Sequence, residues 1–239
     1  MEPSPHKKHT SSHIFWNKEY KKGGHLALSN EPSEDLEKFV RFLEQKYGRT
    51  HLNPIASVLD LGCGNGRNLV YLSRTFGMRG VGYDISSEAI IQAKRASTGL
   101  PLTYGAQSTA HTLPLPDRSQ TLVLDMMVAH FLDASERKAL IAEVTRVLKP
   151  GGWFFFKTFL LDGDMHALRL LREHPAEEPG SYIHPAIGAP EHVFTEDEIN
   201  DLLAEDFFIH KITKSHRHKA PGSAAKRRSI SVYAQKMGK

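Results

Sequence analysis

The chain has 239 residues, of which 40% are hydrophobic and 24% charged, a balance typical of a globular domain with one sizeable core. The sequence contains no run of about 18 apolar residues and no signal-peptide pattern, so we expect a cytoplasmic protein without a membrane partner. A single cysteine, Cys63, excludes an internal disulfide framework. Membrane-spanning and disulfide-stabilised classes of protein are therefore not expected.

Charge is unevenly distributed along the chain, although the formal net charge is only +4. Residues 1–26 carry five lysines against two glutamates, and residues 207–239 carry nine lysines or arginines and no acid. The segment 27–206 holds 17 basic and 25 acidic residues. Because a clustered basic surface attracts polyanions, the segment 207–239 is a candidate surface for RNA or an anionic substrate. A solvated basic loop and tail are the alternative.

The N-terminal region is predicted to form a tail followed by a helical cap. Residues 1–12 contain almost no apolar side chains, which favours a disordered tail, and residues 13–239 are expected to form a single domain. Within 13–50, aromatic residues at helical spacing indicate a first helix, and a longer apolar stripe indicates a second helix that packs on a sheet. The stretch 23–30 between them is predicted to be a loop.

Strand and helix patterns alternate through the rest of the chain, which is typical of a parallel sheet covered by helices on both faces. Helices are predicted at about 66–76, 87–96, 134–147 and 195–203. Strands are predicted at about 57–61, 80–84, 102–105, 121–124, 153–159, 207–213 and 229–233. The predicted fold class is therefore α/β, with a doubly wound, mostly parallel seven-stranded sheet.

One stretch, Val58–Arg67, joins a predicted buried strand to the following helix through three alternating glycines. Glycine tolerates positive φ and has no Cβ, so the backbone can turn sharply and approach a ligand, which the amides of the next helix then face. This geometry predicts a cofactor loop of the doubly wound α/β type. Arg67 stands where the dinucleotide fingerprint needs its last glycine, which argues against a nicotinamide or flavin cofactor.

Two acids and a later turn indicate which cofactor the loop binds. Asp60 precedes the first glycine by two residues, Asp84 follows Gly64 by 20 residues, and residues 148–152 read Leu-Lys-Pro-Gly-Gly. With these features the chain resembles the class I S-adenosylmethionine-dependent methyltransferases across about residues 55–160. The resemblance implies a Rossmann-like methyltransferase fold with a reversed C-terminal hairpin, S-adenosylmethionine as the cofactor, and methyl transfer as the activity.

The resemblance also assigns residues to the cofactor. In this family the glycine loop lies against the amino-acid portion of the cofactor, and the acid that ends the second strand, here Asp84, accepts from the ribose hydroxyls. Asp60 is expected near the cofactor's amino group, or it ties the glycine loop together. An aromatic N-terminal helix lies over the cofactor in several relatives, although here it could also be a plain packing helix. The predicted cofactor-binding residues are Trp16, Tyr20, Asp60, Gly62, Cys63, Gly64, Gly66, Asp84, Ile85, Thr109, Ala110 and Asp125.

The adenine side departs from the usual pattern of the family. Many relatives have an acid four residues before a Leu-Pro pair, where it accepts from the adenine amino group. Counting back from Leu113 places Thr109 at that position. The backbone of Ala110 or the side chain of Gln107 is therefore expected to hold the ring.

Asp125 and His130 are the predicted catalytic residues. Asp125 ends the fourth strand, where the family positions the methyl group and its acceptor, and it could bind the cofactor's ammonium, orient a nucleophile or remove its proton. His130 matches a position where several relatives have histidine, and it could act as a base near neutral pH. A hydrogen-bonded histidine at the start of a helix is the alternative.

A long insertion at 160–193 interrupts the alternating pattern, and long loops in compact domains usually bind or cover something. In the resembled family this region often shapes the acceptor pocket, so we expect it over the acceptor site. Its candidate acceptor-side residues are Tyr182, His184, Glu191 and His192. Nothing in the sequence fixes these side chains in a ligand geometry, and no metal is predicted.

Three functions are compatible with these features. The leading hypothesis is methyl transfer from S-adenosylmethionine to an oxygen, nitrogen or sulfur atom of a small molecule. The second is methylation of RNA, with the basic 207–239 segment as the docking surface. The third is a module that binds S-adenosylmethionine without catalysis. The sequence carries no motif that decides the oligomeric state.

Overall fold

The computed structural model describes residues 5–22, 29–216 and 227–238. The helices are α1 (Pro5–Lys22), α2 (Glu34–Tyr47), α3 (Arg67–Phe76), α4 (Ser87–Ala96), α5 (Ala134–Val147), α6 (Met165–Glu173) and α7 (Glu196–Leu203), with a short 3₁₀ helix at Ala129–Phe131. The strands are β1 (Ser57–Leu61), β2 (Arg79–Asp84), β3 (Leu102–Ala106), β4 (Gln120–Met126), β5 (Leu148–Phe159), β6 (Ser181–Ile183), β7 (Pro190–His192), β8 (Phe207–Lys214) and β9 (Ser229–Lys236).

Seven strands form one sheet in the order β3-β2-β1-β4-β5-β9-β8. The first five of these pair in parallel, whereas β9 runs antiparallel to both β5 and β8. The predicted fold is confirmed: the sheet is doubly wound and mostly parallel, and it ends in a reversed hairpin. Strands β6 and β7 form a separate two-stranded ribbon inside the predicted insertion.

Successive side chains along each strand point to opposite faces of the sheet, so an apolar layer lies on each face. Helices α5 and α7 cover one face, and α2, α3 and α4 cover the other. On α2, four residues at helical spacing form the fully buried stripe that the sequence predicted: Leu36, Phe39, Val40 and Leu43. This packing fixes the positions of β1, β2 and β4, whose carboxyl ends carry the candidate site.

Two predicted helix starts are confirmed by their caps. The Ser86 side chain accepts a hydrogen bond from the Ala89 amide at 3.2 Å, so α4 begins directly after β2. At α7, the Thr195 side chain accepts from the Glu198 amide, and the Glu198 carboxylate accepts from the Thr195 amide. This reciprocal pair is a capping box, formed by a threonine and a glutamate three residues apart in the sequence.

Helix α1 begins at Pro5, so residues 5–12 are helical where the sequence predicted a disordered tail. The second half of α1 is held by contacts with α4, and helix propagation from a fixed turn adds residues without further tertiary contacts. Residues 1–4 lie outside the described residues. The division of the chain into a tail and a domain stays a prediction.

Two predicted loops are described only in part. Residues 23–28 of the predicted loop 23–30, and residues 217–226 of the basic connection between β8 and β9, lie outside the described residues. The insertion at 160–193 contains α6 and the β6–β7 ribbon. These elements were not predicted, because the glycines and prolines of this segment indicate turns. Within the described ranges, no helix is long and apolar enough to cross a membrane.

Phe39 is expected to be a major stabilising residue of the face that carries α2. It is fully buried, and its ring centroid lies 5.0 Å from that of Phe155 and 4.9 Å from that of Tyr233. The Phe39→Ala change should lower the free energy of unfolding by about 3–5 kcal/mol, measured by urea denaturation, because it leaves a cavity in a packed layer. Phe208→Ala is the matched control, since Phe208 is 60% exposed. Equal losses in the two variants would contradict this account of the core.

Candidate active site

Three buried acids meet at one edge of the sheet because β1, β2 and β4 are parallel neighbours. The register pairs Leu61 with Tyr83 on one side and with Asp125 on the other. Asp60, Asp84 and Asp125 therefore lie at neighbouring carboxyl ends. The strand order reverses between β1 and β4, and in open α/β sheets ligands bind at such a switch point.

The glycine loop after β1 is shaped by backbone conformations that other residues avoid. Gly62 and Gly64 have φ values of 64° and 56°, in the left-handed region. A Cβ atom on Gly64 would lie only 2.5 Å from the hydroxyl oxygen of Tyr20, so the absent side chain also lets α1 approach the loop. Tyr20, which was predicted from the sequence to contact the cofactor, thus covers the glycine loop.

Asp84 connects the glycine loop to the start of α4. One of its carboxylate oxygens accepts from the Gly64 amide at 2.9 Å, and the other accepts from the Ser86 amide at 2.8 Å. Burial raises the pKa of this carboxyl, and the hydrogen bonds from Ser86 and Gly64 oppose that shift. Each oxygen keeps a second lone pair, so Asp84 can still accept from a pair of ligand hydroxyls.

Asp60 and Asp125 are buried acids, and in the described ranges neither forms an ion pair, although the charge of Arg67 in the cavity wall acts on Asp60. Among the described residues, Oδ2 of each has no hydrogen-bond donor, whereas Oδ1 of Asp125 accepts from the Val128 amide at 2.9 Å. Burial raises the pKa of Asp60 to about 8, with further contributions from Asp84 and Asp125, and burial raises that of Asp125 to about 7. Buried carboxylates are stabilised by a nearby positive charge, so this edge fits a ligand with a cationic group.

A cavity of about 570 Å³ opens at this edge. Nine of the predicted site residues line it: Trp16, Tyr20, Gly62, Cys63, Gly64, Asp84, Ile85, Thr109 and His130. The structure therefore brings together residues from α1, the glycine loop, the end of β2 and the segment after β4. A volume of this size is within the usual range for small-molecule sites.

The other predicted site residues do not form the cavity wall. Asp60 and Asp125 are fully buried behind it. Gly66 caps the start of α3, and Ala110 packs against the apolar layer under α5. The alternative adenine contact, Gln107, donates from its side chain to the Thr112 carbonyl oxygen at 3.2 Å.

Helix α1 spans the cavity and contacts both of its sides. The Asn17 side-chain oxygen accepts from the Ser86 hydroxyl at 2.8 Å, and the Gln92 side chain donates to the Tyr20 carbonyl at 2.5 Å. On the opposite side, the Trp16 ring meets the Phe131 ring edge to face at 5.7 Å. This helix therefore links α4 to the segment that follows β4, and it forms one wall of the cavity.

The insertion supplies the opposite wall. His184 and Glu191 line the cavity, as do four further residues at 166, 170, 186 and 187. Tyr182 lies behind Glu191 and donates its hydroxyl hydrogen to that carboxylate. His192 instead contacts the Ser181 hydroxyl at 2.9 Å and lines a separate cavity of about 340 Å³. Across the described ranges, no three histidine, cysteine or acidic side chains are grouped to hold a metal ion.

His130 is buried among aromatic rings on the short 3₁₀ helix. Burial lowers the pKa of its imidazole to about 3, and Arg227, His184 and His192 lower it further. Burial of this kind opposes the predicted role of His130 as a base near neutral pH, because desolvation disfavours the imidazolium; that role stays a prediction. In its neutral form the ring can still accept a hydrogen bond from an acceptor O–H or N–H group.

Several cavity residues were not predicted from the sequence. The most notable are Phe131, Lys157, Phe159, His166 and Arg227. Lys157 pairs with Asp35 at 2.6 Å, which connects β5 to the first turn of α2. Arg227 stands in a run of three basic residues, and no pattern in the sequence distinguishes it from exposed neighbours. Its position in the cavity follows from the tertiary path of the connection into β9.

The strand order, the glycine loop after β1 and the acid at the end of β2 are typical of an α/β protein that binds a nucleotide-type cofactor. Residues 59–156 match the family model described as a methyltransferase domain. Over this segment the chain is similar to S-adenosylmethionine-dependent methyltransferases.

Two solved structures resemble this chain over most of its length. A methyltransferase from Methanosarcina mazei is 27% identical, with a TM-score of 0.67 over 80% of this chain and 97% of that one. The 1,6-didemethyltoxoflavin-N1-methyltransferase of Burkholderia thailandensis, solved with its substrate and S-adenosylhomocysteine, is 21% identical. Its TM-score is 0.70 over 99% of this chain and 92% of that one, which is a likeness of fold.

A curated relative is similar over a shorter stretch. The fatty-acid O-methyltransferase of Mycolicibacterium smegmatis is 30% identical over 147 residues, which are 60% of this chain and 52% of that protein. The chain thus covers between 29% and 52% of the length of three curated relatives it matches.

The buried acids predict how stability depends on pH. The folded-state pKa of Asp60 lies above its unfolded value, so the folded protein holds more protons and this group's contribution to stability is lost as pH rises. Relative to the unsubstituted protein, Asp60→Asn should therefore become more stable between pH 5 and 8, and Asp125→Asn between pH 5 and 7. The expected gain is on the order of 1 kcal/mol per pH unit, measured by urea denaturation.

Asp201→Asn is the control for this experiment, because Asp201 is exposed on α7. Its difference from the unsubstituted protein should stay constant across the same pH range. A constant difference for Asp60→Asn and Asp125→Asn as well would mean that neither acid is buried as the structure describes.

Proposed function

We propose that this protein transfers a methyl group from S-adenosylmethionine to an oxygen, nitrogen or sulfur atom of a small molecule. The observation that carries the proposal is the pair of unpartnered buried carboxylate oxygens, on Asp60 and Asp125, behind a cavity bordered by Asp84. The cofactor has an ammonium group and two ribose hydroxyls. Two carboxylates that form no ion pair in the described ranges and one carboxylate with free lone pairs are chemically complementary to those groups.

Bound S-adenosylmethionine would supply an electrophilic methyl group on a sulfonium. Because methyl transfer is an in-line displacement, the protein's main task is to align the acceptor atom with the methyl carbon and to exclude water. Trp16 and Phe131 form an aromatic wall beside this point, and α1 closes the cavity above it. His130 would accept a hydrogen bond from the acceptor group and so orient its lone pair toward the methyl carbon.

Asp125 would act by position rather than by removing a proton. It is fully buried, and one of its oxygens holds the amide of Val128, which begins the turn into the 3₁₀ helix. Through this contact Asp125 positions His130 and Phe131 relative to the cofactor site. Its other oxygen would face the cofactor's ammonium.

A small acceptor is favoured over RNA by the shape of the site and by the relatives. The acceptor side is walled by α1 and the insertion, with apolar and aromatic residues between them. Several similar proteins are named for small acceptors, among them a fatty acid, glycine and 1,6-didemethyltoxoflavin. RNA docking through the basic 207–239 segment stays a prediction, because residues 217–226 of that segment lie outside the described residues.

Cofactor binding is the first test of the proposal. S-adenosylmethionine and S-adenosylhomocysteine should both bind in isothermal titration calorimetry, and Asp84→Ala should weaken binding about 10- to 100-fold, because hydrogen bonds to a charged group are lost. Asp201→Asn should leave the affinity unchanged. Absence of binding to the folded, unsubstituted protein would overturn the proposed function.

Methyl transfer itself is tested with cofactor that carries an isotopic label on the methyl group. After incubation with separated metabolite, RNA and protein fractions, label should appear in the metabolite fraction and should be lost with Asp84→Ala. Label in the RNA fraction, with binding that falls steeply as salt rises, would favour the RNA alternative. Tight cofactor binding without label in any fraction would favour a non-catalytic module.

A further inference from the structure

Arg227 lines the cavity and belongs to the connection that leads into β9, two residues before that strand begins. Its guanidinium carbon is 4.3 Å from the centroid of the Phe159 ring, which in turn lies 4.9 Å from that of His130. Both Arg227 and Phe159 line the cavity. The Phe159 ring therefore lies between the guanidinium and His130, beside which an acceptor would meet the methyl group.

The hydrogen bonds of Arg227 leave part of its guanidinium unused. Nε donates to Asp164 Oδ2 at 3.0 Å, and Nη1 donates to the Tyr182 hydroxyl. Nη2 has no acceptor in the described part of the chain, although it is buried. A guanidinium carries five N–H donors in a fixed fork that matches a carboxylate or a phosphate.

The carboxylates beside Arg227 are already engaged by other donors. Asp164 also accepts from the backbone amides of His166, Ala167 and Arg228. Glu191 accepts from Tyr182, and its nearest distance to Nη1 of Arg227 is 3.7 Å. Arg228 is also buried beside Asp164, so the two arginines balance the formal charge of Asp164 and Glu191. An anion that binds here would therefore not meet a net negative charge.

Imidazole groups add further donors at the same end of the cavity. His130, His166 and His184 all line it, and the charge of Arg227 adds to the burial that lowers the pKa values of His130 and His166. A neutral imidazole donates through one nitrogen. The surrounding wall is apolar, with Phe131, Leu170 and Ile187 among its residues.

We infer that the acceptor is a small molecule with an apolar or aromatic body and an anionic group, a carboxylate or a phosphate, which binds the free N–H groups of Arg227. This inference rests on the proposed function, since it takes the cavity to be the acceptor site. Arg227 is then the residue that selects anionic acceptors. If Arg227 served only to tie the insertion to β9 through Asp164, charged and neutral ligands of the same shape would bind equally.

The test compares three probes of similar shape on protein saturated with S-adenosylhomocysteine: 3-phenylpropanoate, 3-phenylpropanamide and 2-phenylethyl phosphate. Calorimetry or ligand-observed NMR gives the affinities without any need for turnover. An anionic probe should bind at least about tenfold more tightly than the neutral amide, because hydrogen bonds to charged groups are the stronger ones. The two anions distinguish a carboxylate from a phosphate as the preferred group.

Arg227→Gln should weaken binding of the anion at least about tenfold and leave the amide unchanged, whereas Arg227→Lys should retain part of the preference as a point charge. Arg172→Gln on α6 is the matched control, because Arg172 is exposed and does not line the cavity. S-adenosylhomocysteine affinity and the thermal midpoint report whether each variant is folded. If Arg227→Gln does not fold, the acid–amide comparison and Arg227→Lys decide the question.

Three results would overturn the inference: equal affinity for anion and amide, a preference that survives Arg227→Gln, or no binding of any probe. If S-adenosylhomocysteine itself fails to bind, the proposed function is wrong. The acid–amide comparison on the ligand-free protein then still tests the anion site by itself.

Discussion

Three carboxylates are held at one edge of the sheet, away from water and close to one another. Strand register brings Asp60, Asp84 and Asp125 together, and mutual repulsion adds to the burial that raises the pKa of Asp60. Only Asp84 is satisfied by backbone amides at both oxygens. A buried carboxylate without a cation is unfavourable, so the ligand-free fold contains a site whose free energy falls when a cationic ligand arrives. Cofactor binding and folding stability are thereby coupled through the same side chains.

The walls around this edge come from segments far apart in the chain. Helix α1 is fixed on α4 through Asn17 and Gln92, and it reaches the segment after β4 through Trp16. The insertion is fixed by Asp164, which accepts from both Arg227 and Arg228 at the entry to β9. The sheet therefore determines the cofactor end, whereas the acceptor end depends on contacts between the insertion and the reversed hairpin. That division explains how one sheet can serve many acceptors.

Local patterns predicted the parts of the molecule that depend on local physics. The strand–helix alternation, the glycine loop of Gly62 and Gly64, the acid at the end of β2 and the capping box at Thr195 each follow from a few neighbouring residues. The helical state of residues 5–12 follows from propagation of α1 beyond its contacts with α4. The fold of the insertion and the place of Arg227 depend on tertiary contacts that no short pattern encodes. The low pKa of His130 is of the same kind, because burial is a property of the assembled fold.

The two ends of the cavity have opposite chemistry, and this bears on how methyl transfer would be aligned. Unpartnered carboxylate oxygens at Asp60 and Asp125 would hold the positively charged donor, and the free N–H groups of Arg227 would hold a negatively charged acceptor. Each ligand would then be fixed by a charge at its far end, with the reacting atoms meeting between Trp16, Phe131 and His130. A neutral acceptor would lose one of these two anchors. It would sample more orientations before the in-line geometry is reached, so the loss would fall on turnover as well as on affinity.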